Sequence, residues 1–172
     1  MAKRMFHNTS WTPTATADTA NLANGTYMAI QGGSATQLIN VLEILIDGQA
    51  TTSAPTFMQF ARDSTVGVGF VALVAPAGDG PMHPSTAALA APPVTYFQVT
   101  AGTLAQRAAV TTQGKLELGL NAFGGIMKWN PYTPDMAWGI LSATQPLGES
   151  SLSAFTGGTV GPISAHIIYE PL

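Results

Sequence analysis

A chain of 172 residues with only 9% Asp, Glu, Lys and Arg, against ~25% in an ordinary soluble domain, cannot rely on interspersed charge to stay apart from its neighbours. Its 46% apolar content is ordinary for a globular chain and excludes disorder throughout, and the length suits one domain with a sizeable core. A net charge of −3 and the lack of cysteine exclude a basic nucleic-acid footprint, disulfides and thiolate chemistry.

Residues 1 to 25 are polar, rich in Thr and Ala, and short of strand patterning. The expectation is an extended N-terminal arm, anchored by Phe6 or Trp11, that serves assembly rather than folding. Lys3-Arg4 is too short for a basic arm, and no apolar run follows it, so no secretory signal is expected.

Tyr27 to Gln31 gives the first strand signal, closed by Gly32-Gly33-Ser34. Leu38 to Ile46 comes next, closed by Asp47-Gly48, which reads as a hairpin turn. Leu38, Val41, Leu42 and Leu45 also fit a helical stripe, but the β-branched Ile39, Val41, Ile44 and Ile46 favour a strand. This apolar stretch, interrupted by Asn40 and Glu43, falls far short of the ~20 residues of a membrane helix.

Thr56 to Ala61 predicts a third strand, with Arg62-Asp63-Ser64 as a turn, and Val66 to Val74 a fourth, ended by Pro76 and Gly78-Asp79-Gly80. Between Pro81 and Pro93, the run Ala87 to Ala91 suggests one helical turn, capped by Ser85 or Thr86 and stopped by Pro92 and Pro93. Strand signals resume at Val94 to Val99, Lys115 to Leu120, Gly125 to Trp129, Met136 to Leu141 and Ile163 to Glu170. In Lys115 to Leu120 the three leucines share one face, with Lys115, Glu117 and Gly119 on the other, the mark of a half-buried antiparallel strand. Near the C-terminus Ile163, Ala165, Ile167 and Tyr169 share a face. Ser150 to Pro162 is polar and glycine-rich and reads as a long loop that contacts a neighbouring subunit.

About nine strands at short spacing, with no long amphipathic helix between them, predict an all-β fold. The expected architecture is an antiparallel β-sandwich or jelly-roll-like barrel over residues 26–172, behind the arm of residues 1–25.

The sequence offers no constellation that chemistry would need, and the expectation is a protein that is not an enzyme. His7, His83 and His166 are far apart in sequence, with no Gly-x-Ser-x-Gly elbow and no His-Glu-x-x-His. The nine acids are scattered, and Gly78-Asp79-Gly80 lacks the oxygen ladder of a calcium loop. The pairs Gly32-Gly33, Gly124-Gly125 and Gly157-Gly158 are followed by no helix with a Lys-Ser/Thr and read as turns that need positive φ. No metal or other cofactor is expected.

The segment from Trp129 to Trp138, WNPYTPDMAW, stands out. Trp138, on a strand signal, is expected to bury inward. Trp129 and Tyr132 are candidates for a contact surface, since Trp and Tyr are enriched at binding hot spots. Phe6, Trp11, Trp129, Tyr132, Trp138 and Phe155 form the set of candidate interface residues.

The Thr/Ala/Gly-rich strands, the polar arm and the runs Gln31-Gly32-Gly33-Ser34, Ala61-Arg62-Asp63-Ser64-Thr65 and Ala154-Phe155-Thr156-Gly157-Gly158 resemble small structural proteins of tailed-phage virions, of the capsid decoration or cement type. That resemblance implies a virion protein, assembled in the host cytoplasm, that oligomerises, often as a trimer, and staples capsid or other virion subunits through protein contacts. Neither nucleic acid nor membrane is an expected partner. The alternative is a carbohydrate-binding or lectin-like module with a glycan as partner, for which Trp129, Tyr132 and Trp138 would be the stacking side chains.

Overall fold

Short stretches of alternating apolar and polar residues, punctuated by Gly, Pro, Ser and Asn, favour antiparallel strands over helices, and strands are what this chain forms. The structure, a computed structural model, describes residues 5–10, 26–62, 71–72, 80–82, 94–97, 115–141, 149–155 and 163–172. Among them twelve strands follow in chain order: β1 (Phe6–Ser10), β2 (Thr26–Gln31), β3 (Leu38–Gln49), β4 (Pro55–Arg62), β5 (Val71–Ala72), β6 (Gly80–Pro81), β7 (Val94–Phe97), β8 (Lys115–Asn121), β9 (Phe123–Trp129), β10 (Trp138–Leu141), β11 (Glu149–Phe155) and β12 (Ile163–Pro171). One short 3-10 turn, Pro134–Met136, precedes β10.

The pairings are antiparallel and nested. β1 pairs with β12, β2 with β11, β3 with both β9 and β10, and β4 with β8. The β1–β12 and β3–β9/β10 pairs share one sheet, joined by β12 to β3, and the β2–β11 and β4–β8 pairs share the other, joined by β11 to β4. A chain doubled back on itself in this way, with successive pairs alternating between two sheets, is a jelly roll. The additional strands fall between β4 and β8 in sequence. β6 extends the first sheet beyond β1, and β7 and β5 extend the second beyond β2.

The core lies between the sheets. Phe6, Ile39, Val41, Ile44, Ile46, Trp138, Ile140, Ile163, Ile167 and Tyr169 face inward from the first sheet, and Met28, Ile30, Met58, Phe60 and Leu118 from the second. The first sheet owes its inward face chiefly to isoleucine, whose branched Cβ suits a pleated surface. The predicted faces of β8 and β12 are found: Leu118 is buried while Glu117 and Gly119 are exposed, and Ile163, Ala165, Ile167 and Tyr169 are all buried. Arg62 straps the two sheets together. Its Nε and a terminal nitrogen donate to the Gly139 carbonyl at 3.1 and 2.9 Å, and the guanidinium lies 4.6 Å from the centre of the Trp138 ring. Phe60 meets the same indole from the other sheet, with centroids 5.3 Å apart.

Several sequence expectations need correction. Asp47-Gly48 is no turn: both residues lie inside β3, opposite Ser164 and Ile163. The register against β9 slips between Asp47 and Gln49, where Gly124 and Gly125 of β9 stand opposite Gly48 alone, so Gly48 faces a bulge in β9. A Cβ on Gly48 would run into the backbone of Ala122, and only glycine admits that approach. A second slip, between Ile168 and Tyr169 of β12, leaves Leu42 without a register partner. It shifts the buried positions of β3 from 39 and 41 to 44 and 46, so of the helix-like stripe only Val41 faces the core.

The arm is corrected over residues 6–10. Phe6–Ser10 is a strand between β12 and β6, and Phe6 is buried, stacked on Tyr169 with centroids 6.0 Å apart. The physical reason is that β12 supplies a complete hydrogen-bonding edge, so a polar stretch needs only one inward aromatic to be held there. Trp11 and the rest of the expected arm, to residue 25, lie outside the described residues. The long loop of residues 150–162 is corrected over its first part: Glu149–Phe155 is β11, in the middle of the second sheet. Arg62, expected in a turn, belongs to β4, and residues 63–64 lie outside the described set, as do the expected helical turn, His83 and Gly157-Gly158.

The chain changes sheets between β8 and β9 at Asn121. Its Oδ1 accepts from the backbone N–H of Ala54 at 2.9 Å and of Phe123 at 3.0 Å, while its Nδ2 donates to Ser53 Oγ at 2.9 Å. Ala122 then bridges both ends of the β3–β4 connection, accepting from Ala50 N–H and donating to the Ala54 carbonyl, each at 2.8 Å. Gly124 follows with φ +68°, the positive value expected of this glycine pair.

Candidate interface

The pairing pattern makes the two sides of the sandwich unlike. Among the described residues, the sheets end on one side in β5 and β6, each two residues long. On the other they end in the seven-residue β8 and in β9 with β10. β12 occupies one edge of β3 from Ile39 to Gly48, so β9 and β10 share the opposite edge. β9 lies against Ile44 to Gln49 and β10 against Leu38 to Val41. Together with the segment between them they follow the full length of β3, ~40 Å at ~3.3 Å per residue.

This edge gathers most of the exposed large apolar side chains of the described residues. Phe123 is 57% exposed, Ile126 72%, Tyr132 94%, Met136 62% and Leu141 46%. Between Phe123 and Leu141 the only charged residues are Lys128 and Asp135, and Lys128 is engaged with Glu43 of β3, Nζ to Oε2 at 2.7 Å. Prolines 131 and 134 stand in the connection, outside β9 and β10. A long edge strand is usually blunted by charge, proline or a cover. β8, with Lys115 and Glu117, has the first of these devices. β9 has one lysine, already tied to its own sheet.

The candidate residues of the sequence therefore divide. Tyr132 stands free on the edge, as a contact residue should. Trp129 is half-buried and packs against the core, because β9 turns Met127 and Trp129 inward while Ile126 and Lys128 face out. Trp138 is buried, as expected of its strand, and Phe6 belongs to the core. Phe155 ends β11, paired with Phe57 of β4. The three aromatics of the 129–138 segment thus lie along one edge without forming one platform. Phe123, Ile126, Met136 and Leu141 were not among the sequence candidates. For Ile126 a signal existed: it stands two residues from Lys128, and in a strand that places it on the lysine's wet face.

Two histidines distant in sequence meet on the outer face of the first sheet. His7 of β1 and His166 of β12 have ring centroids 5.5 Å apart, and Thr9 Oγ1 lies 2.6 Å from His166 Nδ1. Partial burial and the neighbouring His7 lower the pKa of His166, against an opposing pull from Glu43. Among the described residues no three His, Cys, Asp or Glu side chains gather as a metal site would require, and no helix is long and apolar enough to cross a membrane. No family model and no curated protein matches the chain.

Proposed function

We propose that this chain is a structural subunit of a virus particle, a decoration or cement protein of the tailed-phage kind, which binds a capsid or other particle lattice through protein–protein contacts. The observation that carries this reading is the apolar, charge-poor edge of β9 and β10 on a jelly-roll sandwich. An exposed apolar strip of this kind marks an interaction surface, and depletion of charge is the compositional sign of an interface core. The chain-wide shortage of charge agrees with a life spent in an assembly. The jelly roll adds support by analogy, since capsid proteins use it, as do lectins.

The test is quantitative mass spectrometry of purified particles from the source of the chain, followed by re-addition of purified chain to stripped particles. Stoichiometric abundance and saturable rebinding are the expected outcome. Absence from particles, or trace amounts only, would refute the reading. Tyr132, the exposed aromatic of the segment, keeps a glycan-binding function as a second reading. Glycan-array binding abolished by Tyr132→Ala, with no binding to particles, would establish that one instead.

A further inference from the structure

We infer that the occupant of the β9–β10 edge is a second copy of this chain, joined edge to edge so that β9 of one protomer is covered by its neighbour. This rests on the reading of the chain as an assembly subunit and names the first partner in that assembly.

Three observations lead to it. The first is what the edge offers. Among the described residues β9 pairs with β3 alone, so about half of its backbone N–H and C=O groups face away from β3, whereas in β10 the Gly139 carbonyl is already taken by Arg62. An extended strand meets that demand better than a helix or a globular surface does.

The second is the lack of a charge code. With Lys128 held by Glu43, Asp135 is the other charged residue from Phe123 to Leu141. Nothing there selects a partner by its charge. What is presented is apolar side chains beside main-chain groups, and a second such edge matches it when turned about a two-fold axis. That partner is present wherever the chain itself is.

The third is area. At their fractional exposures, the five large side chains of the edge present on the order of 500–830 Å², taking ~150–250 Å² for a large side chain. That lies at or above the upper part of the ~300–600 Å² of the largest patch on a typical monomer. With the flanking main chain it approaches the ~800 Å² per partner of a standard interface.

The experiment is sedimentation equilibrium on the purified full chain over a wide concentration range, for wild type, Ile126→Glu and Glu117→Gln, with hydrogen exchange of the β9 amides. Ile126 is well exposed, so its replacement should leave the melting temperature nearly unchanged. The expected result is a wild-type mass that is a multiple of the protomer, at least a tenfold weaker association for Ile126→Glu, and no weakening for the control on β8. Outward-facing β9 amides should exchange more slowly in the wild type than in Ile126→Glu. A wild type that stays monomeric throughout overturns the inference, as does an oligomer indifferent to Ile126→Glu. Self-association through β9 in a chain that never attaches to particles would leave this inference standing and refute the particle reading. Particle binding by a chain that is monomeric throughout would do the reverse.

Discussion

Replacing Phe6 by alanine distinguishes a fold that begins at residue 6 from one that begins after an arm. Phe6 is 5% exposed and stacks on Tyr169, which is itself fully buried. Losing a buried phenylalanine removes its transfer free energy and leaves a cavity, together about 3–5 kcal/mol. The upper part of that range applies if β1, pinned between β12 and β6, cannot collapse into the gap. Such a loss is a large share of the ~5–15 kcal/mol that holds a typical domain folded. At ~2–4 °C per kcal/mol for a chain of this size, the midpoint should fall by roughly 6–20 °C. Urea unfolding followed by circular dichroism, with calorimetry for the midpoint, measures both quantities. Deleting residues 1–10 should cost at least as much, because it also strips the hydrogen-bonding edge of β12. An arm engaged only in assembly makes the opposite prediction: unchanged stability and weakened attachment. A Phe6→Ala midpoint within about 2 °C of wild type, a shift expected of a surface substitution, would refute the placement of β1 in the sheet.

Other substitutions probe the bulge and the sheet-to-sheet corner. Gly48→Ala should destabilise by about 1–3 kcal/mol or more, the cost of overpacking, because the new methyl meets the backbone of Ala122; a neutral result in denaturant titration would contradict the bulge. Asn121→Ala removes three hydrogen bonds at an exposed corner, and at ~0.5–1.5 kcal/mol each the loss should be about 1.5–4.5 kcal/mol, with hydrogen exchange accelerating at Ala54 and Phe123. The histidine pair predicts a pH dependence. The pKa of His166 is lowered on folding by burial and then by His7, so the unfolded chain takes up the proton first. Its contribution is therefore present above the unfolded value, near 6.5, and is lost as pH falls through the lower folded value. A wild type that loses stability over that interval, and a His166→Asn variant that loses less, is the expected pair of titration curves. Equal slopes would remove His166 as the cause.

The fold was legible where one face of a strand is apolar and the other is not. Leu116, Leu118 and Leu120 against Lys115, Glu117 and Gly119 identify β8, and Ile163 to Tyr169 identify β12, because alternation is the physical cause of a half-buried strand. The failures have an equally physical origin. Phe6–Ser10 and Glu149–Phe155 are mostly polar, yet each lies between two strands of a sheet. Position 152 stands opposite Met28 on one side and Phe60 on the other, both of which are buried. A strand flanked by such neighbours is held by its main chain and does not need an apolar run of its own. Local composition cannot report that, since the partners are far away in sequence. Asp47-Gly48 failed for another reason: glycine is demanded by hairpin turns and by close backbone approaches alike, and only the partner, here Ala122, decides between them.

The candidate interface was half legible, and the missing half follows from topology. Scarcity of charge motivates the proposal of a covered surface but gives no address for it. The aromatic run from Trp129 to Trp138 points to the right stretch of chain, but strand alternation sends Trp129 toward the core and pairing with β3 buries Trp138. What remains outside is less conspicuous in sequence: Ile126 beside a lysine, Phe123 at a turn, Met136 in a helical turn and Leu141 at a strand end. These become one surface only because β12 fills one edge of β3 and leaves the other to β9 and β10. The nesting of first strand with last also makes the two sides of the sandwich unequal among the described residues: β5 and β6 stand at one side, and β8, β9 and β10 at the other. The proposal of a covered surface comes from composition, and the order of the strands, more than any motif, selects the edge on which to test it.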